Sequence, residues 1–293
     1  MVRRLAQRPR VGKLGALPYL PENIRRYAAH PVPLPGEARE TVVWGAAQIG
    51  LGVRLLLAHP RLWRRALFPM LAILAIAVIG GVASLADAGP WGALARAYGL
   101  LVGVGTAPAF LFANTYARLA ADAHEIMGFG PAKPYLTSLR QRFSQLIRFA
   151  LVTVVPALPV VFLLKLVPAV GDTLGYAAGA LWALYFAVVE QLDNARVARD
   201  TSVPEPLLMP WFVGWTQTSP LPGAARFGRL CARLSRPWVE EIHLTRLHPA
   251  ASIGFGGAVA LILAVPILNL LVRPAAVIAG VHFRARTERS DTA

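Results

Sequence analysis

Residues 66–86 form an apolar run of 21 residues without a charged side chain. A bilayer core needs about 20 apolar helical residues, so this run is long enough to cross a membrane. A second uncharged run covers residues 98–117. In the whole chain 56% of residues are apolar and 15% are charged, whereas soluble domains have about 25% charged residues. We therefore predict an all-α integral membrane protein with two long transmembrane helices.

The charge balance is strongly basic, with 30 Lys and Arg against 15 Asp and Glu and a net charge of +15. On a chain this apolar, such an excess is more typical of cytoplasmic loops and contact with anionic lipids than of nucleic-acid binding. Residues 1–65 hold twelve basic and three acidic groups, whereas residues 87–95 hold no basic group. The positive-inside tendency therefore predicts a cytoplasmic N-terminus.

Two further apolar segments predict hairpins that enter the membrane only partly. Residues 149–164 and 173–189 form arms of about 24 to 26 Å, which is short of a bilayer core of about 30 Å. Charged or turn-forming residues separate these arms: Lys165, Pro168, Gly171 and Asp172. Lys165 and Asp172 could pair across the tip or reach outward to water.

Residues 251–264 and 275–283 repeat this shape. The break between them contains Pro266, Asn269 and Pro274. A single crossing would leave the basic residues that follow outside, whereas a hairpin returns them to the cytoplasm. We therefore predict two hemi-penetrating (re-entrant) helical hairpins and two cytoplasmic termini.

The chain divides into a basic, largely irregular leader (1–40), a membrane domain (41–283) and a short basic tail (284–293). The membrane domain includes an enlarged cytoplasmic loop, residues 203–250. Apolar and basic residues at helical spacing predict amphipathic interfacial helices near residues 136–147 and 226–236. An interfacial helix is also expected over residues 41–59, because three glycines weaken it as an isolated span.

No residue pattern indicates catalysis, a cofactor or a metal site. Cys231 is the one cysteine in the sequence. Four possible ligands occur near each other: Glu240, Glu241, His243 and His248. Two histidines five residues apart do not share a helix face, so we interpret this segment as a solvated loop. With no recognisable nucleophile and base, we do not expect an enzyme.

Residues 60–65 read Pro-Arg-Leu-Trp-Arg-Arg and directly precede the first span. Proline suits the first helical turn, the amides there have positive character, and guanidiniums bind oxyanions. Arginine and tryptophan at the end of a span can also be simple topology anchors, so both interpretations stay open. The candidate anion-binding residues are Arg61, Leu62, Trp63 and Arg64.

The C-terminal motif adds a family resemblance. Residues 253–283 contain Pro266-Ile-Leu-Asn-Leu followed by Pro274 and a helix of small residues. This segment resembles the closing segment of the CysZ family of bacterial sulfate permeases, and residues 167–193 resemble the first hairpin of that family. The related eukaryotic etoposide-induced membrane proteins share the domain. The resemblance covers roughly residues 45–283.

The resemblance implies a homo-oligomer of the bacterial inner membrane that passes sulfate inward for cysteine synthesis. The anion motif of the family resembles Pro-Gly-Ile-Arg-Arg; aligned at Pro60, Trp63 takes the place of its first arginine and Arg64 that of its second. Five residues are expected to be structural or pore-lining: Pro168, Gly171, Pro266, Asn269 and Pro274. We expect a permease or channel for sulfate or a similar oxyanion, without ATP hydrolysis; the alternative is a non-transporting scaffold that binds lipids or protein partners.

Overall fold

The computed structural model describes residues 34–83, 85, 87, 89–96, 111–155, 157–198, 214, 216–263 and 265–290. The helices of this part of the chain include α1 Ala38–Ala58, α2 Pro60–Ala83, α3 Ala113–Ile126, α4 Leu139–Val154, α5 Ala157–Lys165, α6 Gly171–Asn194, α7 Ala224–Ser235, α8 Val239–Leu247, α9 Pro249–Leu263 and α10 Pro266–Ser290. A 3-10 turn, Arg236–Trp238, joins α7 to α8. Two short strands, β1 Lys133–Pro134 and β2 Val197–Ala198, pair in antiparallel fashion.

Among the described residues, three helices are long and apolar enough to cross a membrane: α1, α2 and α6. Helix α2 contains most of the first predicted span, which confirms that this segment is helical. The second predicted span, residues 98–117, lies mostly outside the described residues, and α3 includes its last residues. The all-helical membrane class is therefore confirmed, while the number of crossings stays a prediction.

Two of the three glycines of α1 are places of close helix contact. A Cβ atom at Gly45 would overlap the carbonyl oxygen of Ala251 in α9, and one at Gly52 would overlap that of Ala275 in α10. These glycines weaken α1 in isolation, but they let its backbone pack directly against the second hairpin. A prediction that treats α1 as an isolated helix therefore underestimates its stability, because it leaves out this close packing.

Helices α5 and α6 form the first predicted hairpin. At its tip, the Lys165 Nζ atom lies 3.8 Å from Asp172 Oδ1 and 4.9 Å from the centre of the Tyr176 ring. The predicted pair across the tip is thus present. Helix α6 continues past the apolar arm 173–189 to Asn194, which gives it 24 residues and a length of about 36 Å. A pair of helices joined by a turn is present where the hairpin was predicted, but its first arm is divided between α4 and α5, and its re-entrant character stays a prediction.

The second hairpin differs in detail from the prediction. Helix α9 ends at Leu263 and α10 begins at Pro266, where the fixed φ of proline suits a first helical turn. Asn269 and Pro274 therefore lie within α10 and not in the turn. The helix also continues through most of the predicted tail, to Ser290.

Helix α10 lies in the centre of the domain. Every residue from 273 to 287 is buried, and the helix contacts α1, α3, α6 and α9. Two apolar clusters meet along it, one around Leu62 and Tyr116 and the other around Phe255 and Phe283. The apolar arm 275–283 is therefore a core element that organises the surrounding helices.

Part of the predicted loop 203–250 is structured. Residues 224–247 form α7, the 3-10 turn and α8, and the predicted amphipathic character of α7 is confirmed. Cys231 of α7 packs with Val152 and Trp238 in a third cluster, while Arg226, Arg229, Arg233 and Arg236 are exposed. The interpretation of residues 240–248 as a solvated loop is wrong, because Glu241 on α8 is fully buried beside Arg284.

Candidate functional site

The start of α2 is capped by the residue that precedes it. The amides of Leu62 and Trp63 donate to the His59 carbonyl oxygen over 3.1 and 3.2 Å, and the Arg61 amide donates to His59 Nδ1 over 3.3 Å. Burial, with the nearby Arg61 guanidinium, lowers the pKa of His59, so a neutral imidazole is available to accept this bond. The first amides of α2 are therefore already hydrogen-bonded within the chain.

Two arginines of the candidate site share one carboxylate. Arg61 and Arg65 are four residues apart and so lie on one face of α2. Arg61 Nη2 donates to Asp122 Oδ1 over 2.6 Å, and Arg65 Nε donates to Asp122 Oδ2. Arg61 Nη1 also lies 3.4 Å from Glu125 Oε2. Because Asp122 is on α3 and only 6% of its side chain is exposed, these ion pairs hold α2 against α3.

Arg64 differs from its two neighbours. Its side chain is exposed, and the described residues offer it no ion pair or hydrogen bond. Arg61, Arg64 and Arg65, with the carboxylates Asp122 and Glu125, form an arginine cluster. Its three positive and two negative charges give a net charge of +1. Arg64 is therefore the guanidinium in the cluster that is free to meet a ligand.

The other two candidates have structural surroundings. Leu62 is fully buried in the apolar cluster around α10. Trp63 is half-buried and packs against the same cluster. The structure thus brings Arg61 and Arg64 to the accessible side of the first turn of α2, while Leu62 and Trp63 anchor that turn in the core.

Sequence reasoning missed Asp122 and Glu125. They are the two acidic residues within the basic segment 118–148. Their three-residue spacing matches one helix face, as the spacing of Arg61 and Arg65 does. This matching spacing is the one sequence signal for a contact between the two pairs. No local pattern, however, shows that segments about 60 residues apart lie against each other.

A second set of charges surrounds α10. Arg284 Nη1 donates to Glu241 Oε1 over 2.6 Å, and Arg284 Nη2 donates to Glu240 Oε2 over 3.0 Å. Glu240 also accepts from Arg196 over 2.9 Å. These buried and half-buried charges neutralise one another and join α8 and α10 to the chain that follows α6. Their arrangement indicates a structural role.

Two more buried polar contacts involve α10. Arg273 Nη2 lies 3.6 Å from Glu190 Oε1 of α6, and His282 Nδ1 lies 2.6 Å from Gln48 Oε1 of α1. Glu190, near the end of α6, therefore has its partner inside the helix assembly. These contacts fix the register of α10 against both of its long neighbours.

The described residues contain no group of three or more His, Cys, Asp or Glu side chains that could hold a metal ion. The Cys231 thiol is buried, and that burial raises its pKa to about 11. A thiol in this state is protonated at neutral pH and is a poor nucleophile or ligand.

A family model described as Sulfate transporter CysZ/Etoposide-induced protein 2.4 matches residues 49–274. The chain belongs to this family. The match covers the arginine cluster, the α5–α6 hairpin and the α9–α10 turn, which confirms the resemblance drawn from the residues. No curated protein and no solved structure matches the chain. The family is a transporter family and not an enzyme family, so the chain is a transporter-like membrane protein.

Proposed function

We propose that this protein is a permease or channel for sulfate or a similar oxyanion in a bacterial inner membrane, and that it works without ATP hydrolysis. The family description, which names a sulfate transporter, supports the ligand class. The observation that carries the proposal is the exposed Arg64 guanidinium, which has no carboxylate partner in the described residues. The arginine cluster around it has a net positive charge.

The chemistry of the cluster suits a tetrahedral anion. A guanidinium presents planar N–H donors that can give one oxyanion two charge-assisted hydrogen bonds. Arg64 supplies such donors, and the half-exposed Arg61 lies one turn away with Asp122 and Glu125 as its partners. Because His59 occupies the first amides of α2, we assign binding to side chains and not to the helix terminus.

Substitution of Arg64 tests this assignment. Each charge-assisted bond contributes about 1.5 to 3 kcal/mol, so Arg64→Ala should weaken sulfate binding by at least about tenfold. Arg64→Lys should recover only part of the loss, because lysine keeps the charge but not the planar fork. Binding of labelled sulfate to the purified protein in detergent measures both effects.

Arg229→Ala is the matched control. It removes the same charge from an exposed position on α7, where the described residues give it no ion pair. Sulfate affinity should not change in this variant. If Arg64→Ala binds sulfate as well as the parent protein does, the site assignment is wrong and Arg64 is a topology anchor.

A specific observation favours the second candidate function, a non-transporting scaffold. Helix α4 exposes a stripe of large apolar side chains: Leu139, Phe143, Leu146 and Ile147. The adjacent helix α7 exposes a row of arginines. This combination is typical of helices that bind anionic lipids at a membrane interface. The scaffold function predicts lipid or partner binding without sulfate flux, so transport measurements separate the two functions.

The homo-oligomer implied by the family resemblance also stays a proposal. Many large apolar side chains are exposed on α2 and on the α5–α6 hairpin. In a membrane protein such surfaces are open either to lipid or to another copy of the chain. Light scattering of the purified protein, corrected for bound detergent, gives the number of copies directly.

A further inference from the structure

Asp122 lies between two arginines of the arginine cluster. Both of its carboxylate oxygens accept hydrogen bonds, one from Arg61 Nη2 and the other from Arg65 Nε. The side chain is 94% buried, since only 6% of it is exposed. A carboxylate has the same sign of charge and the same acceptor chemistry as a free oxyanion, so it satisfies the donors that such a ligand would use.

We propose that Asp122 is a resident anion that competes with the ligand for Arg61 and Arg65 and thereby sets the affinity and charge preference of the site. This inference rests on the proposed function, because it assigns a specificity-determining residue to the same arginine cluster. Glu125 acts in the same way from the rim, where it lies 3.4 Å from Arg61 and half of its side chain is exposed.

The net charge of the arginine cluster predicts which anions should bind more tightly when Asp122 is replaced. The arginine cluster has a net charge of +1 with Asp122 ionised and +2 when Asp122 is replaced by asparagine, which keeps nearly the same shape. Repulsion between Asp122 and a nearby anion is proportional to the charge of that anion. Removal of this carboxylate should therefore favour a dianion such as sulfate more than a monoanion such as nitrate.

The experiment compares sulfate and nitrate binding by the full chain and by Asp122→Asn at one ionic strength. We expect sulfate affinity to rise by at least about tenfold and nitrate affinity to rise less. Asp172→Asn, at the tip of the α5–α6 hairpin, removes the same charge at a distant exposed position and should change neither affinity. If Asp122 served only to tie α2 to α3, Asp122→Asn would lower thermal stability without changing the ratio of the sulfate and nitrate affinities.

A second variant keeps the test decisive if Asp122→Asn does not fold. Glu125→Gln removes an exposed carboxylate from the same arginine, and it should raise sulfate affinity in the same direction by a smaller factor. Unchanged or weaker sulfate binding by folded Asp122→Asn overturns the inference. If Asp122→Asn cannot be purified, the inference is overturned when Glu125→Gln shows no gain in sulfate affinity.

These outcomes are distinguishable from failure of the proposed function. If the parent binds sulfate and Asp122→Asn shows no gain, the inference fails and the function stands. If the parent binds no sulfate but Asp122→Asn does, Asp122 blocks the site and the function fails in the native chain. Absence of sulfate binding in the parent, Asp122→Asn and Glu125→Gln overturns both.

Discussion

At the scale of residues, Arg284 shows how a buried charge can stabilise this domain. It is 3% exposed and donates to Glu241, which is fully buried. Removing one member of a buried ion pair leaves the other charge without compensation and costs about 3 to 5 kcal/mol. We therefore expect Arg284→Met to lower the free energy of unfolding by about that amount, measured by denaturant unfolding of the purified protein in detergent.

The exposed pair at the hairpin tip is the matched control. Lys165 and Asp172 lie 3.8 Å apart with side chains that are 42% and 82% exposed, and an exposed pair contributes about 0 to 1 kcal/mol. Lys165→Met should therefore change stability far less than Arg284→Met does. Equal effects of the two substitutions would contradict a structural role for the buried pair.

These two pairs also show what the sequence could predict. Lys165 and Asp172 are seven residues apart across a predicted turn, so local reasoning found their contact. Arg284 and Glu241 are 43 residues apart, and Arg61 and Asp122 are 61 residues apart. Local spacing does not show which distant helices meet, so Glu241 was misread as solvated and Asp122 was missed.

At the scale of elements, the two kinds of glycine in α1 predict opposite effects of alanine. Gly45→Ala would place a Cβ against the backbone of α9, and overpacking of this kind costs about 1 to 3 kcal/mol. Gly50 has nothing within 4 Å of the added atom, so Gly50→Ala should stabilise the helix by about 0.5 to 1 kcal/mol. Thermal unfolding in detergent compares the two variants, and a stable Gly45→Ala protein would contradict the close packing of α1.

The hairpins show why helix limits were only partly predictable. Apolar runs and their interruptions located both hairpins, because charged residues and prolines end apolar segments. The sequence predicted too long a break in the second hairpin, because Pro274 lies within α10 and not between the two helices. Proline inside a helix removes one hydrogen bond, and burial of α10 on every side compensates for that loss through contacts that sequence spacing does not reveal.

At the scale of the whole molecule, we propose that both termini are cytoplasmic. Cysteines introduced at Val2 and Thr292 in a Cys231→Ser background should react with a membrane-impermeant maleimide only after the membrane is opened. The parent Cys231 should label slowly in the folded protein, because it is buried and its pKa is raised to about 11. Labelling of either introduced cysteine in intact cells would contradict this topology.

Flux through the reconstituted protein tests the central claim most directly. Vesicles that contain the purified chain, with no ATP present, should accumulate labelled sulfate well above empty vesicles when a sulfate gradient is applied. Vesicles with Arg64→Ala should accumulate less sulfate, and vesicles with Arg229→Ala should match the parent. Accumulation at the level of empty vesicles, with the parent protein shown to be inserted and folded, would contradict the permease function and favour the membrane scaffold.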